Sequence, residues 1–240
     1  MSLIEVKVVC LDLDDTLVDA RGSWHAGFAE VTNHLLERSP KFSALGSPEE
    51  IYEQHLRPRI IAAQRKAGSN EWSNDFAREG FRELLRENAG LGPTESDSIF
   101  NAYLEAWPRY LRLFDDVLEA LEALQKKFRL ALISNGIGHE QRRKLDRFSL
   151  NRYFDVCVIS EEIGITKPDP RIFKYALQAL DIEAVSALHA GDNLHHDVAG
   201  ARDYGMYGVW VNRRGGRFEG PNEADAEVRD LNGLVRLLTP

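Results

Sequence analysis

Val6-Lys7-Val8-Val9-Cys10-Leu11-Asp12-Leu13-Asp14-Asp15-Thr16 is the stretch from which the fold can be read. Val6 to Leu13 is apolar and β-branched almost without interruption, and a polar cluster ends it. An unbroken apolar run of this length is the pattern of a strand buried on both faces, hence of a parallel sheet covered by helices. Asp12 and Asp14 lie two apart, so on an extended chain their side chains point the same way. Each acid alone is ordinary in a turn or at a helix start. Two carboxylates about 4 Å apart, however, repel by roughly 4 kcal/mol at an effective dielectric of 20. A pair at the end of a buried strand therefore calls for a counter-charge.

Outward from this stretch, four more short apolar runs read as strands: Leu130 to Ser134, Val156 to Ser160, Ala187 to Ala190 and Gly208 to Asn212. Helical spacing separates them. Val117, Leu118, Leu121 and Leu124 mark one helix, Leu145 and Phe148 another. A third runs from Pro170 to Leu180, with Asp169 as N-cap and Pro170 at its first position. Val198 to Tyr204 is a short helix stopped by Gly205. This alternation predicts an α/β chain with a Rossmann-like parallel sheet and helices on both faces. Residues 20–110 differ, for they hold no strand pattern. Helix-like segments occupy Trp24 to Leu36, Glu49 to Arg65, Asp75 to Glu87 and Thr94 to Tyr110, separated by Pro40, Gly46-Ser47-Pro48, Gly68-Ser69 and Gly90-Leu91-Gly92-Pro93. The expected division is a core of residues 1–19 and 111–240, carrying an inserted α-helical cap domain at 20–110.

Composition narrows the function. The chain has 240 residues, 43% hydrophobic and 28% charged, enough to bury a core. No apolar run approaches the roughly 20 residues of a membrane span. Met1 to Lys7 lacks the basic start and long apolar stretch of a signal peptide. Cys10 and Cys157 both fall in strand-like runs and are expected as buried, reduced thiols, which points to the cytoplasm. The net charge of −8 argues against a nucleic acid polymer as partner. The compact basic cluster Arg213, Arg214 and Arg217 reads as a solvated loop after a strand.

In open parallel sheets ligands bind beyond the carboxyl ends of the strands. The first strand ends in Asp12-Leu13-Asp14-Asp15-Thr16 and the second in Ser134-Asn135-Gly136. Lys167-Pro168 follows the third, and the fourth ends in Gly191-Asp192-Asn193, with Asp197 close by. Acids, a hydroxyl, an amide and a lysine thus converge on one edge. The acids would need a cation, and an all-oxygen set without nearby cysteine suits Mg²⁺. His195 and His196 lack a partner at metal-ligand spacing and read as a polar loop or helix start.

These segments, in this order, resemble the four motifs of the haloacid dehalogenase superfamily of aspartate-nucleophile hydrolases, and the insertion resembles that family's first-type (C1) cap. The resemblance implies a mechanism. Asp12 would be the nucleophile and Asp14 the general acid and base. Ser134, the Asn135 backbone N–H and Lys167 would bind phosphate oxygens. Mg²⁺ would sit on the Asp12 carboxylate, the Asp14 backbone carbonyl and Asp192. Thr16, Asn193 and Asp197 would support these groups, with Asp197 orienting Lys167 or a metal-bound water. Within the family a second acid two residues after the nucleophile goes with phosphatases and phosphomutases, whereas members that cleave carbon–halogen bonds lack it.

The function so implied is a Mg²⁺-dependent phosphatase acting on a small phosphorylated metabolite, a sugar phosphate or nucleoside monophosphate. The alternatives are a phosphomutase of the same fold and a non-catalytic phosphate-ligand-binding or regulatory protein. Trp24 and His25 are the first candidates for substrate specificity, followed by Arg21, Phe28, Trp72, Asn74, Trp107, Arg109 and Tyr110. Beyond the metabolite, the expected partner is at most a second copy of the chain, as a homodimer, with no membrane involved.

Overall fold

The computed structural model describes residues 6–68, 73–216 and 224–239. Trp72 and Arg217, singled out above, lie outside them. Two compact units emerge, one formed by residues 1–18 with 113–240 and the other by 19–112.

The first unit opens with β1 (Val8–Leu11), four residues with no exposed surface. It is shorter than the apolar run, because the chain leaves the sheet at Asp12 and turns. Leu17 N–H donates to the Leu13 carbonyl at 2.8 Å, and Asp15 takes a left-handed φ of 59°.

The described residues of the second unit form helices joined by turns, with no strand among them. It comprises α1 (Ala20–Arg38), α2 (Pro40–Ser43), α3 (Pro48–Ile51), α4 (Arg57–Lys66), α5 (Asn74–Ala89) and α6 (Pro93–Ala106). A π-helical turn, Tyr52–Leu56, joins α3 to α4, and a 3₁₀ turn, Trp107–Tyr110, follows α6. Pro40, expected as a break, opens α2 instead, with Ser39 as its N-cap. The unit's core is aromatic. Phe81 meets Phe28, Phe100 and Tyr103 with ring centroids 5.7, 5.2 and 5.0 Å apart.

The chain then completes the first unit through α7 (Val117–Gln125), β2 (Arg129–Ser134), α8 (Gly138–Arg147), β3 (Val156–Ile159), α9 (Ser160–Ile163), α10 (Pro170–Leu180), β4 (Ala187–Gly191), α11 (Gly200–Asp203), β5 (Tyr207–Val211), β6 (Ala226–Val228) and α12 (Leu231–Leu238). Among the described residues six strands form one parallel sheet, in the order β3-β2-β1-β4-β5-β6. The last, Ala-Glu-Val, is too short to carry a readable pattern and was not expected. Asp169 caps α10 as predicted, its carboxylate accepting from Arg171 N–H at 2.9 Å. Ile172, Phe173, Ala176, Leu177 and Leu180 of that helix pack on Val8, Cys10, Ala131, Ile133 and Val158. Neighbouring Val9, Leu11, Leu130 and Leu132 alternate to the opposite face by the period of the strand. The helix expected at Val198 to Tyr204 starts earlier, as a π-helical run Leu194–Ala199 leading into α11. Strand order reverses between β1 and β4, and the crevice at such a reversal is where ligands enter this architecture.

Among the described residues no helix is long and apolar enough to cross a membrane. Cys10 is buried and Cys157, on the edge strand β3, is only half-buried; both are free thiols. Burial pushes them up to about 12 and about 11, well away from a reactive thiolate. Of the basic cluster, Arg214 is exposed, as a solvated loop requires, whereas Arg213 is not. Arg213 grips Asp116 with two bonds of 2.9 and 3.1 Å, donates to the Thr16 carbonyl at 2.8 Å and lies 4.0 Å from the centre of the Phe114 ring. Arg214 pairs with Asp15 at 3.3 Å. These arginines fasten the turn after β1 to the loop after β5.

Candidate active site

The crevice is organised by a buried lysine. Lys167 is 2% exposed, although its place in a loop would ordinarily leave it in solvent. Its ammonium reaches Asp12 Oδ1 at 2.7 Å, Asp197 Oδ1 at 2.6 Å and the Ile133 carbonyl at 2.7 Å. Asn135 holds the lysine's backbone on both sides: Lys167 N–H donates to Asn135 Oδ1 at 2.8 Å, and Asn135 Nδ2 donates to the Lys167 carbonyl at 3.0 Å. The Asn135 side chain is thus spent on positioning Lys167, a task that spacing along the chain does not reveal.

Asp197 is held from several directions. Its Oδ2 accepts from Asn193 N–H at 2.9 Å, and its Oδ1 lies 3.1 Å from His189 Nε2. Asn193 in turn accepts from the N–H groups of His195 and His196 at 3.0 and 2.9 Å, so it caps the turn that carries Asp197. The two histidines serve as helix-start residues, as the sequence suggested. Gly191 is required here, because a Cβ at that position would overlap the Asp197 carboxyl group.

The electrostatics follow from burial. Burial pushes the Asp12 carboxyl up to about 7, with the Lys167 ammonium opposing that shift and the Asp197 charge adding to it. Burial likewise opposes ionisation of Asp197, but Lys167 and His189 outweigh it and hold that carboxyl below the usual range. Lys167 is penalised by burial, and the two aspartates more than compensate, so it stays charged. Burial lowers His189, leaving it a neutral imidazole.

Carboxylate oxygens of Asp12, Asp192 and Asp197 all lie within 4.8 Å of one another, in the region of the crevice where β1 and β4 end. Three hard oxygen donors of like charge suit a small divalent cation and give a soft one nothing to bind. The Asp14 carboxylate does not belong to this group. It binds Lys144 Nζ through both oxygens, at 2.8 and 2.7 Å, and Gln141 Nε2 at 3.1 Å. β1 ends at Leu11, so Asp12 and Asp14 both lie beyond the strand. Ser134 is fully buried, and its hydroxyl oxygen accepts from Gln141 Nε2 at 2.7 Å. Thr16 is also buried; its hydroxyl has no hydrogen-bond partner among the described residues, while its carbonyl takes the bond from Arg213.

Residues of the helical unit are engaged within it. His25 Nε2 lies 2.8 Å from Glu53 Oε1, and its ring meets Tyr52 edge-on at 5.1 Å. Trp24 is half-buried beside it on α1. Phe28 and Trp107 are part of the unit's core, whereas Arg109 and Tyr110 both bind Glu30. Gln141, Lys144 and His189 were missed by sequence reading. Gln141 and Lys144, polar residues three apart just after Ser134-Asn135-Gly136, carried a readable signal, because that spacing puts both on one helix face. His189, inside an apolar strand, carried none.

Residues 6–205 match the family described as haloacid dehalogenase-like hydrolase. The chain belongs to that family. It is 32% identical to a phosphoserine phosphatase of Thermus thermophilus, with 94% of this chain and 96% of the relative covered. It is 29% identical to a glyceraldehyde 3-phosphate phosphatase of Methanopyrus kandleri, over 94% of this chain and 92% of the relative. Among solved structures, a HAD phosphatase from Thermococcus onnurineus is 30% identical with a TM-score of 0.68, covering 98% of both chains. A 2-haloacid dehalogenase from Pseudomonas syringae is 29% identical with a TM-score of 0.65, covering 97% of this chain and 98% of the other. The family therefore includes likenesses to enzymes of two chemistries.

Proposed function

We propose that the chain is a Mg²⁺-dependent phosphatase that hydrolyses a small phosphorylated metabolite through an aspartyl-phosphate on Asp12. The observation that carries this reading is the Asp12–Lys167–Asp197 arrangement beside Asp192, with a second acid, Asp14, two residues beyond Asp12. Asp14 favours phosphate over halide chemistry, because an alkoxide leaving group needs a proton and a halide does not. The named activities of the curated relatives point the same way.

In the first step an Asp12 oxygen bonds to phosphorus as the bond from phosphorus to the substrate oxygen breaks, and Asp14 gives that oxygen its proton. In the second, Asp14 takes a proton from water as the water oxygen attacks phosphorus, releasing inorganic phosphate and regenerating Asp12. Lys167, the Asn135 N–H and Ser134 would draw the charge that builds on the non-bridging oxygens. Asp12, Asp192 and the Asp14 carbonyl would hold Mg²⁺, which when bound offsets the repulsion between an anionic nucleophile and an anionic phosphate. Asp197 keeps Lys167 in place. Residues 20–110 would act as the cap that selects substrate, with Trp24 and His25 as contacts, and the substrate would be a sugar phosphate, a nucleoside monophosphate or a phosphorylated metabolite of similar size.

The test is phosphate release from a panel of sugar phosphates, nucleoside monophosphates, phosphoserine and glyceraldehyde 3-phosphate, with p-nitrophenyl phosphate as a permissive control. Release should need Mg²⁺ and stop with a chelator. Asp12→Asn should keep the fold and abolish turnover, since a neutral amide cannot serve as this nucleophile. Turnover unchanged by the chelator, or retained by a folded Asp12→Asn protein, would sink the proposal.

A further inference from the structure

We infer that Lys144 and Gln141, on one face of α8, are positioning residues that set the orientation of the Asp14 carboxylate for proton exchange. The inference rests on the phosphatase reading given above. Lys144 is 4% exposed and Gln141 is 1% exposed. Removing an ammonium from water is costly unless a partner compensates. Here the partner is a carboxylate whose side chain keeps 23% exposure, as a group that must meet substrate and water requires.

Two features separate this arrangement from an ordinary helix-to-loop ion pair. The first is that both oxygens of the Asp14 carboxylate are held by hydrogen bonds. Lys144 takes both its oxygens, at 2.8 and 2.7 Å, and Gln141 Nε2 takes Oδ2 at 3.1 Å. Lys144 also reaches Gln141 Oε1 at 2.7 Å, so it keeps an acceptor while Asp14 carries a proton. The second is that the same Gln141 Nε2 lies 2.7 Å from Ser134 Oγ and 3.1 Å from the Asn135 carbonyl, its two hydrogens shared among these and Asp14 Oδ2. One glutamine therefore ties the proton-exchanging acid to the residues assigned to the phosphate. Gly136 permits it: with φ of 147° it suits glycine, and a Cβ there would lie 2.9 Å from Gln141 Nε2.

The experiment compares wild type, Lys144→Met, Lys144→Arg and Gln141→Leu on two esters. One is p-nitrophenyl phosphate, whose leaving group departs without a proton; the other is an alkyl phosphate that the wild type hydrolyses. In Lys144→Met, kcat/KM, which reports transfer to Asp12 and not the later hydrolysis common to both esters, should fall about a hundredfold on the alkyl ester and less than about fivefold on the aryl ester. Lys144→Arg should recover part of the loss, and Lys144→Met added to Asp14→Asn should cost nothing further. Equal losses of kcat/KM on both esters, or a further loss on top of Asp14→Asn, would overturn the inference, because a merely structural lysine behaves that way. Should Lys144→Met fail to fold, Gln141→Leu must show the same asymmetry between esters. A wild type inactive on both esters would instead defeat the phosphatase reading. Crystal structures then decide the positioning role by themselves, since an Asp14 carboxylate unmoved in the variants contradicts it and a displaced one supports it.

Discussion

Replacing Lys167 by alanine would leave Asp12 and Asp197 facing each other with almost no water between them. Breaking a buried pair by removing one partner typically costs about 3–5 kcal/mol. Lys167→Ala is therefore expected to lose both phosphate binding and a substantial part of its stability, seen as a lowered denaturation midpoint in the absence of metal. A loop lysine that only touched substrate would be removed with the fold unharmed, so an unchanged midpoint would contradict the buried geometry. Most site residues could be found in the sequence, because an ordered set of polar residues stood at the ends of apolar runs. Their partners could not. Lys167–Asp197 spans 30 positions and Lys144–Asp14 spans 130, and no local spacing encodes such pairs.

At the scale of the element, β4 and the turn after it act as a bracket for Asp197. Gly191→Ala places a methyl group where the carboxyl group lies, and overpacking of this kind typically costs about 1–3 kcal/mol. The variant should be less stable and, by displacing Asp197 from Lys167, should lose turnover; normal thermal stability and activity together would show that the turn yields without cost. In the helical unit, α1 is linked to the π-helical turn through His25 and Glu53. The His25 hydrogen bond, against the opposing effect of burial and with help from Arg57 and Arg21, holds the Glu53 carboxyl down at about 2, from an ordinary 4.5. A depressed folded-state value means stabilisation that is fully present above about 4.5 and is lost as pH falls toward about 2. Glu53→Gln should thus be less stable than wild type near neutrality, by on the order of 1 kcal/mol given its partial exposure, and equal to it at the acid end. A stability gap independent of pH, measured by circular dichroism melts, would contradict this. The interiors of long periodic elements such as Pro170 to Leu180 were legible. Element ends were less so, for Val6 to Leu13 shrank to Val8–Leu11 once backbone bonding rather than apolarity decided the boundary.

At the scale of the whole molecule, three carboxylates are brought to one crevice by strands and turns distant along the chain, so a cation bound there would link its binding to folding. Anything that binds only the folded state stabilises it, by about 2.7 kcal/mol at a concentration one hundred times its Kd. Mg²⁺ should raise the melting temperature of wild type and leave Asp192→Asn nearly unaffected; a shift of equal size in both would place the ion elsewhere. The sequence by itself determined the class of the fold, the helical insertion and the motif residues, because burial patterns repeat locally and the ends of parallel strands meet at one edge. Only the tertiary structure decided that the acids divide into two groups, Asp12, Asp192 and Asp197 around Lys167, and Asp14 with Lys144 and Gln141. It also showed that Arg213, read as part of a solvated loop, fastens the turn after β1. The reason is physical: the charge state and partner of a buried group depend on what surrounds it in three dimensions, and those neighbours come from segments that share no period, spacing or composition.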